Sequence, residues 1–135
     1  MNWKPIRKLL LIDNDEINNF IVEELFQEAE VAETLDICTG CTEALTYLEE
    51  NEDDFPDLIL LDLNMPVFSG FDFLDRYAEK GYDKKSTRIV VLSSSLNAKD
   101  KEASEAYPTV SAFFVKPLEI NNLKKLALEE KIVVV

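Results

Sequence analysis

The feature that most constrains this chain is an alternation: five short apolar runs, each followed by a stretch with helical spacing, recur between residues 8 and 130. "KLLLI" (8–12) leads into residues 16–29, where Ile17, Phe20, Ile21, Leu25 and Ala29 mark the expected buried face of a helix. "TLDIC" (34–38) precedes a helix over 41–50 carrying Ala44, Leu45 and Leu48. "DLILLDL" (57–63) precedes a helix that opens at Gly70, carries Phe71, Leu74 and Tyr77–Ala78, and stops at Gly81. "RIVVLS" (88–93) is followed by a short Ala-rich helix over 98–106. "SAFFV" (111–115) is followed by a helix over 118–130, with Leu118, Leu123, Leu126 and Leu128 among its apolar positions.

Strands this uniformly apolar need cover on both faces, so the expected fold is α/β: a parallel sheet with helices on both sides. Right-handed crossovers and five units are most simply arranged in strand order 2-1-3-4-5. The 135 residues contain no linker, repeat or low-complexity segment, so one domain over 1–135 is expected. "KIVVV" (131–135) reads as a short docked tail or an extra strand, with a partner-binding edge as the alternative.

Charge and residue usage exclude several function classes. A formal net charge of −13 with no Lys/Arg cluster argues against nucleic acid as a partner. The apolar run after Lys8 is too short for a secretory signal, and nothing approaches a membrane span, so a cytoplasmic location and no membrane partner are expected. The chain has no His, which removes His triads, His metal sites and a His phosphoacceptor. Cys38 and Cys41 have C-x-x-C spacing where a helix N-terminus would lower a thiol pKa, as in a redox pair. "CTGC" lacks the Trp and Pro of thioredoxin-type motifs, and the plainer alternative is two small, partly buried residues. A zinc site would need two further ligands, and none is evident.

In such a sheet the carboxyl ends of all strands share one edge, and ligands bind where strand order reverses. Strand 1 ends at Asp13, strand 3 at Asp62, strand 4 at Ser93 and strand 5 at Lys116. Each has a plain structural alternative. The polar "DND" of "LIDND" suits helix capping, "SSSLN" a polar loop, and Lys116 a solvated charge before Pro117. Asp62 resists that treatment, because it interrupts "LILLDL" and a buried lone carboxylate is costly. Together the four suit phosphoryl transfer to Asp62. A carboxylate nucleophile carries an acyl phosphate, Lys116 supplies positive charge, Ser93 donates a hydrogen bond, and Asp13 forms one wall of a Mg²⁺ pocket.

In its quoted motifs "LLLIDND", "LILLDLNMPVFSGFDFL", "IVVLSSS" and "FFVKP", the sequence resembles the receiver domains of two-component response regulators. The likeness covers about residues 6–128 and is similar in layout to the single-domain chemotaxis regulators. It implies a flavodoxin-like fold with Asp62 as phosphoacceptor and Mg²⁺ held by Asp13, Asn14, Asp62 and the backbone carbonyl of Asn64. Met65, Pro66 and Gly70 would shape the next loop. Ser93 and Phe113 take the switch positions, Lys116 the active-site lysine, and the Lys116–Pro117 bond should be cis. The family usually has two adjacent acids after strand 1; here they are Asp13 and Asn14, so Mg²⁺ should bind weakly.

The resemblance further implies a signalling domain, not an enzyme beyond its own phosphorylation and dephosphorylation. Its partners would be a sensor histidine kinase or a His phosphotransfer protein, and a downstream protein on the face of helix 4, strand 5 and helix 5. A pseudo-receiver that binds partners without phosphorylation is the alternative, motivated by Asn14. A dehalogenase-type hydrolase wants Asp and Thr where this chain has Asn64 and Pro66, and a flavin protein wants a phosphate-cradling loop after strand 1.

Overall fold

A computed structural model describes residues 6–94 and 97–134; for residues 127 and 129–134 only the backbone is described. Trp3, Ser95, Leu96 and Val135 lie outside the described residues.

The apolar runs form strands β1 (Ile6–Ile12), β2 (Ala32–Cys38), β3 (Leu58–Leu61), β4 (Arg88–Ser93) and β5 (Val110–Val115). Helices α1 (Glu16–Ala29), α2 (Cys41–Glu50), α3 (Gly70–Glu79), α4 (Ala98–Glu105) and α5 (Ile120–Val134) alternate with them. All pairings are parallel and the order is β2-β1-β3-β4-β5, as expected.

Alternation along each strand divides the core in two. Leu10, Ile12, Ile59, Leu61 and Ile89 pack with Leu45 and Leu48 of α2 and Phe73, Leu74 and Tyr77 of α3. Leu9, Leu11, Leu58, Leu60, Val90 and Leu92 pack with Val22 and Phe26 of α1 and Leu123 and Leu126 of α5. Because Leu9–Ile12 of β1 and Leu58–Leu61 of β3 are buried on both faces, those residues are apolar without interruption.

Two expectations need correction, and for Cys38 and Cys41 the plainer alternative holds. In α1 the buried residues are Asn18, Asn19, Val22 and Phe26, whereas Ile17, Phe20 and Ile21 are exposed at 75%, 62% and 39%. The stripe read from Phe20 runs into Glu24 and Gln27, while the stripe through Val22, Leu25, Phe26 and Ala29 stays apolar and takes the core. The segment read as a docked tail or extra strand instead continues α5 to Val134. Cys38 and Cys41 are buried free thiols, and burial raises both, Cys38 to about 12. Desolvation outweighs the helix N-terminus, which leaves no reactive thiolate at neutral pH.

Candidate functional site

Register aligns the carboxyl ends of the central strands. Ile12 pairs with both Cys38 and Leu61, and Leu61 pairs with Val91. Asp13 and Asp62, the next residues of β1 and β3, therefore emerge at one edge, with Ser93 two residues beyond Val91. Asp62 N–H donates to Ile12 O at 3.0 Å, Asp13 N–H to Cys38 O at 3.0 Å, and Lys116 N–H to Ser93 O at 2.8 Å. These ladder bonds satisfy the backbone and leave the side chains to converge.

Asp13 is 0% and Asp62 4% exposed. The Lys116 ammonium lies between them, 2.7 Å from Asp13 Oδ2 and 3.6 Å from Asp62 Oδ2. Burial, and next the charge of Asp13, push the Asp62 carboxyl up to about 6; the Asn64 N–H and Lys116 oppose this shift. Asn64 N–H donates to Asp62 Oδ1 at 3.2 Å, and its side-chain amide reaches Ser93 Oγ at 3.4 Å. Ser93 is buried at the end of β4.

The capping and cation readings of "LIDND" turn out to apply to different residues. Asp15 is the N-cap of α1, accepting from the N–H groups of Ile17 and Asn18. Asp13 turns inward toward Lys116. Asn14, between them, is exposed.

Gly70 is required by close approach. A Cβ there would lie 2.5 Å from Asp62 O and 2.7 Å from Leu63 Cα, and Gly70 N–H donates to Leu63 O at 2.9 Å. Ser69 caps α3 through a capping box with Asp72, so the helix starts directly behind the site. Between them, Val67 has φ 69° and is 91% exposed, an uncommon conformation for a β-branched residue. The Lys116–Pro117 bond is cis, as expected. Phe113 is half-buried and Phe114, its neighbour, packs against the α1–α5 core.

Two residues of the site were not anticipated. Asn18 Nδ2 donates to Asp13 Oδ2 at 2.8 Å, and Asn19 Nδ2 to Asp13 O at 2.9 Å. Their signal in the sequence was a pair of amides at the head of the apolar stripe through Val22 and Phe26.

Buried oxygen donors with mutual repulsion suit a hard cation such as Mg²⁺, which is commonly held by one or two carboxylates plus water and phosphate oxygens. The side chains of Asp13 and Asp62 and the carbonyl of Asn64 fit that role. Among the described residues no group of three acidic, His or Cys side chains is arranged to hold a metal.

A doubly wound sheet carries a carboxylate pair and a lysine at its switch edge, and residues 9–128 match the family model for the response regulator receiver domain. The chain belongs to this family, the receiver domain of two-component systems. A solved two-component response regulator from Cytophaga hutchinsonii is 30% identical, with a TM-score of 0.87 over 95% of this chain and 98% of that one. Response regulator Rcp1 of Synechocystis is 27% identical over 126 residues, 90% of this chain and 84% of Rcp1. A structure of the Mn²⁺-bound form of Rcp1 superimposes with a TM-score of 0.71, over 94% of this chain and 91% of that one. The nitrate/nitrite response regulator protein NarL of Escherichia coli is 32% identical over 92% of this chain. The chain spans 54% of NarL, 35% of a Methanospirillum hungatei methylesterase and 7% of a Dictyostelium hybrid histidine kinase. Among the described residues no helix is long and apolar enough to cross a membrane.

Proposed function

We propose that this receiver accepts a phosphoryl group on Asp62 from a phosphohistidine on a sensor histidine kinase or a His phosphotransfer protein, and acts in the cytoplasm. The observation that carries this reading is the buried triangle of Asp13, Asp62 and Lys116. In the step, an ionised Asp62 oxygen forms a bond to phosphorus. The phosphorus–nitrogen bond breaks, and its electron pair returns to the imidazole. Lys116 moves from Asp13 to a phosphoryl oxygen, Ser93 O–H donates to another, and the Asn64 N–H keeps Asp62 oriented. Asp13, Asp62 and the Asn64 carbonyl would hold Mg²⁺, which would supply neutralising charge for the phosphoryl group; with Asn14 uncharged, weak affinity is expected.

The exposed Ile17, Phe20 and Ile21 of α1 adjoin this edge and are the surface a phosphodonor would cover. Output passes to a downstream protein through the face of α4, β5 and α5, with Ser93 and Phe113 as the switch pair. Intact mass after incubation with acetyl phosphate and Mg²⁺ tests the assignment. An adduct of about 80 Da, one phosphoryl group, is expected in the wild type and not in Asp62→Asn. An adduct that persists in that variant overturns it. The second reading, binding without phosphorylation, rests on Asn14, and it is favoured if neither the adduct nor a beryllofluoride complex forms.

A further inference from the structure

An amphipathic helix packed on a sheet normally gives its buried positions to apolar side chains. α1 instead buries Asn18 and Asn19, 5% and 6% exposed, and leaves Ile17 and Phe20 in solvent. Burying two amides is unfavourable unless their hydrogen bonds are made, so the bonds they make show what the inversion achieves. Both go to Asp13. Asn19 holds its main-chain carbonyl, and its own Oδ1 is left without a partner among the described residues. Asn18 holds its carboxylate.

Among the described residues the Asp13 carboxylate has three donors. Oδ1 accepts from Asp15 N–H at 2.9 Å; Oδ2 accepts from Asn18 Nδ2 at 2.8 Å and from Lys116 Nζ at 2.7 Å. Lys116 is the mobile member, since phosphoryl transfer draws it toward Asp62. When it leaves, Asp13, itself fully buried, keeps the Asp15 N–H and Asn18 among the described donors.

We infer that Asn18 is a positioning residue for phosphoryl transfer: it holds the Asp13 carboxylate in place, aimed at the cation site, while Lys116 moves to the phosphoryl group. The inference rests on the phosphoacceptor reading above. Without the amide, Asp13 is anchored by one backbone donor and its orientation depends on keeping Lys116, so the lysine is released less readily. Asn18 itself touches neither phosphoryl group nor metal. Hydrogen-bond partners of metal-binding carboxylates generally act in this way, by fixing the ligand's orientation.

The test uses the full chain, acetyl phosphate as phosphodonor and Mg²⁺ alone as the metal probe. Asn18→Leu, matched in size and lacking a donor, is expected to bind Mg²⁺ about tenfold more weakly by calorimetry. Its maximal phosphorylation rate should fall about tenfold, with the half-saturating concentration of acetyl phosphate unchanged, because the loss acts through orientation and not through donor binding. Asn18→Ser keeps a donor on a smaller side chain and should lie between Asn18→Leu and wild type in both measurements. If Asn18→Leu does not fold, Asn18→Ala takes its place, and Ser against Ala isolates the donor. Wild-type affinity and rate in the donor-free variant overturn the positioning role. Failure of the wild-type chain to take up phosphate overturns the phosphoacceptor reading instead, and the calorimetric comparison then decides Asn18 by itself.

Discussion

Lys116 Nζ stands 2.7 Å from Asp13 Oδ2 and 3.6 Å from Asp62 Oδ2, closer to the carboxylate that is not the proposed phosphoacceptor. One ammonium thus moderates the repulsion of two buried acids. Lys116→Met should destabilise the protein by roughly 3 kcal/mol at pH 7.5, the usual scale for removing one partner of a buried ion pair. The loss should shrink at pH 5, where Asp62 can take up a proton instead. Urea denaturation at both pH values measures this, and an equal loss at both would show that the lysine does not moderate Asp62.

Asp62 by itself should make stability depend on pH. Its carboxyl is raised from 3.8 to about 6, by burial and then by the charge of Asp13. Between those pH values the folded state holds a proton that the unfolded chain has released. The stabilisation from this proton is complete below pH 4 and is lost as pH rises through 6. Asp62→Asn removes the titration, so it should be more stable than wild type by roughly 2 kcal/mol at pH 7.5, with no advantage near pH 4. Thermal melts of both proteins across this range, without divalent cations, would show it. An advantage that does not vary with pH would mean that the charge of Asp62 carries no penalty.

Gly70→Ala would ordinarily strengthen a helix by about 1 kcal/mol. Here the new methyl meets backbone atoms, Asp62 O at 2.5 Å and Leu63 Cα at 2.7 Å. Backbone cannot turn aside as a side chain can, so a net loss of roughly 1–3 kcal/mol is expected. Slower phosphorylation should accompany it, since the displaced peptide carries Asp62. Denaturation and the rate of mass gain with acetyl phosphate give the two readouts.

Asn14→Asp should strengthen Mg²⁺ binding, because ligand charge tunes affinity for hard cations. The variant should also be less stable without metal, since a third carboxylate joins two that already repel. Calorimetry is the suitable probe. Equal affinity in both proteins would mean that residue 14 does not face the metal.

The sheet is legible because its central strands are buried on both faces and carry near-continuous apolar runs, Leu9–Ile12, Leu58–Leu61 and Ile89–Leu92, while the half-buried edge strand β2 gives a weaker signal. The four residues ending those runs were legible for the same reason: each is polar where the pattern demands apolar. α1 was misread because it carries two competing apolar stripes. The one that continues past Phe20 fails at Glu24, and the true face begins with two amides whose partner, Asp13, is a tertiary neighbour. Periodicity alone does not report a buried amide that is satisfied across an element boundary. The C-terminal helix ran past its expected end because Val and Ile suit strands, yet they also extend a helix already nucleated from Ile120.

The output face should respond through α4, the helix with the least to hold it. Among its residues only Ser104 is buried, and the sequence "AKDKEASE" offers no apolar stripe. Its C-terminal end is tied to α3 by Tyr107 O–H donating to Asp75 Oδ1 at 2.6 Å, with Phe71 and Tyr107 ring centroids 6.5 Å apart. Phe113 is half-buried on β5 and has no hydroxyl, so packing alone sets its rotamer and the inward state should be partly populated without phosphate. Residues 98–106 are therefore expected to exchange amide hydrogens faster than the other helices, consistent with few buried anchors. Beryllofluoride at Asp62 should draw Ser93 inward and change protection across 98–116. Tyr107→Phe should raise exchange in α4 while leaving phosphorylation of Asp62 intact. If beryllofluoride changes only the loops at the carboxyl edge, with 98–116 unaltered, the protein carries phosphate without switching.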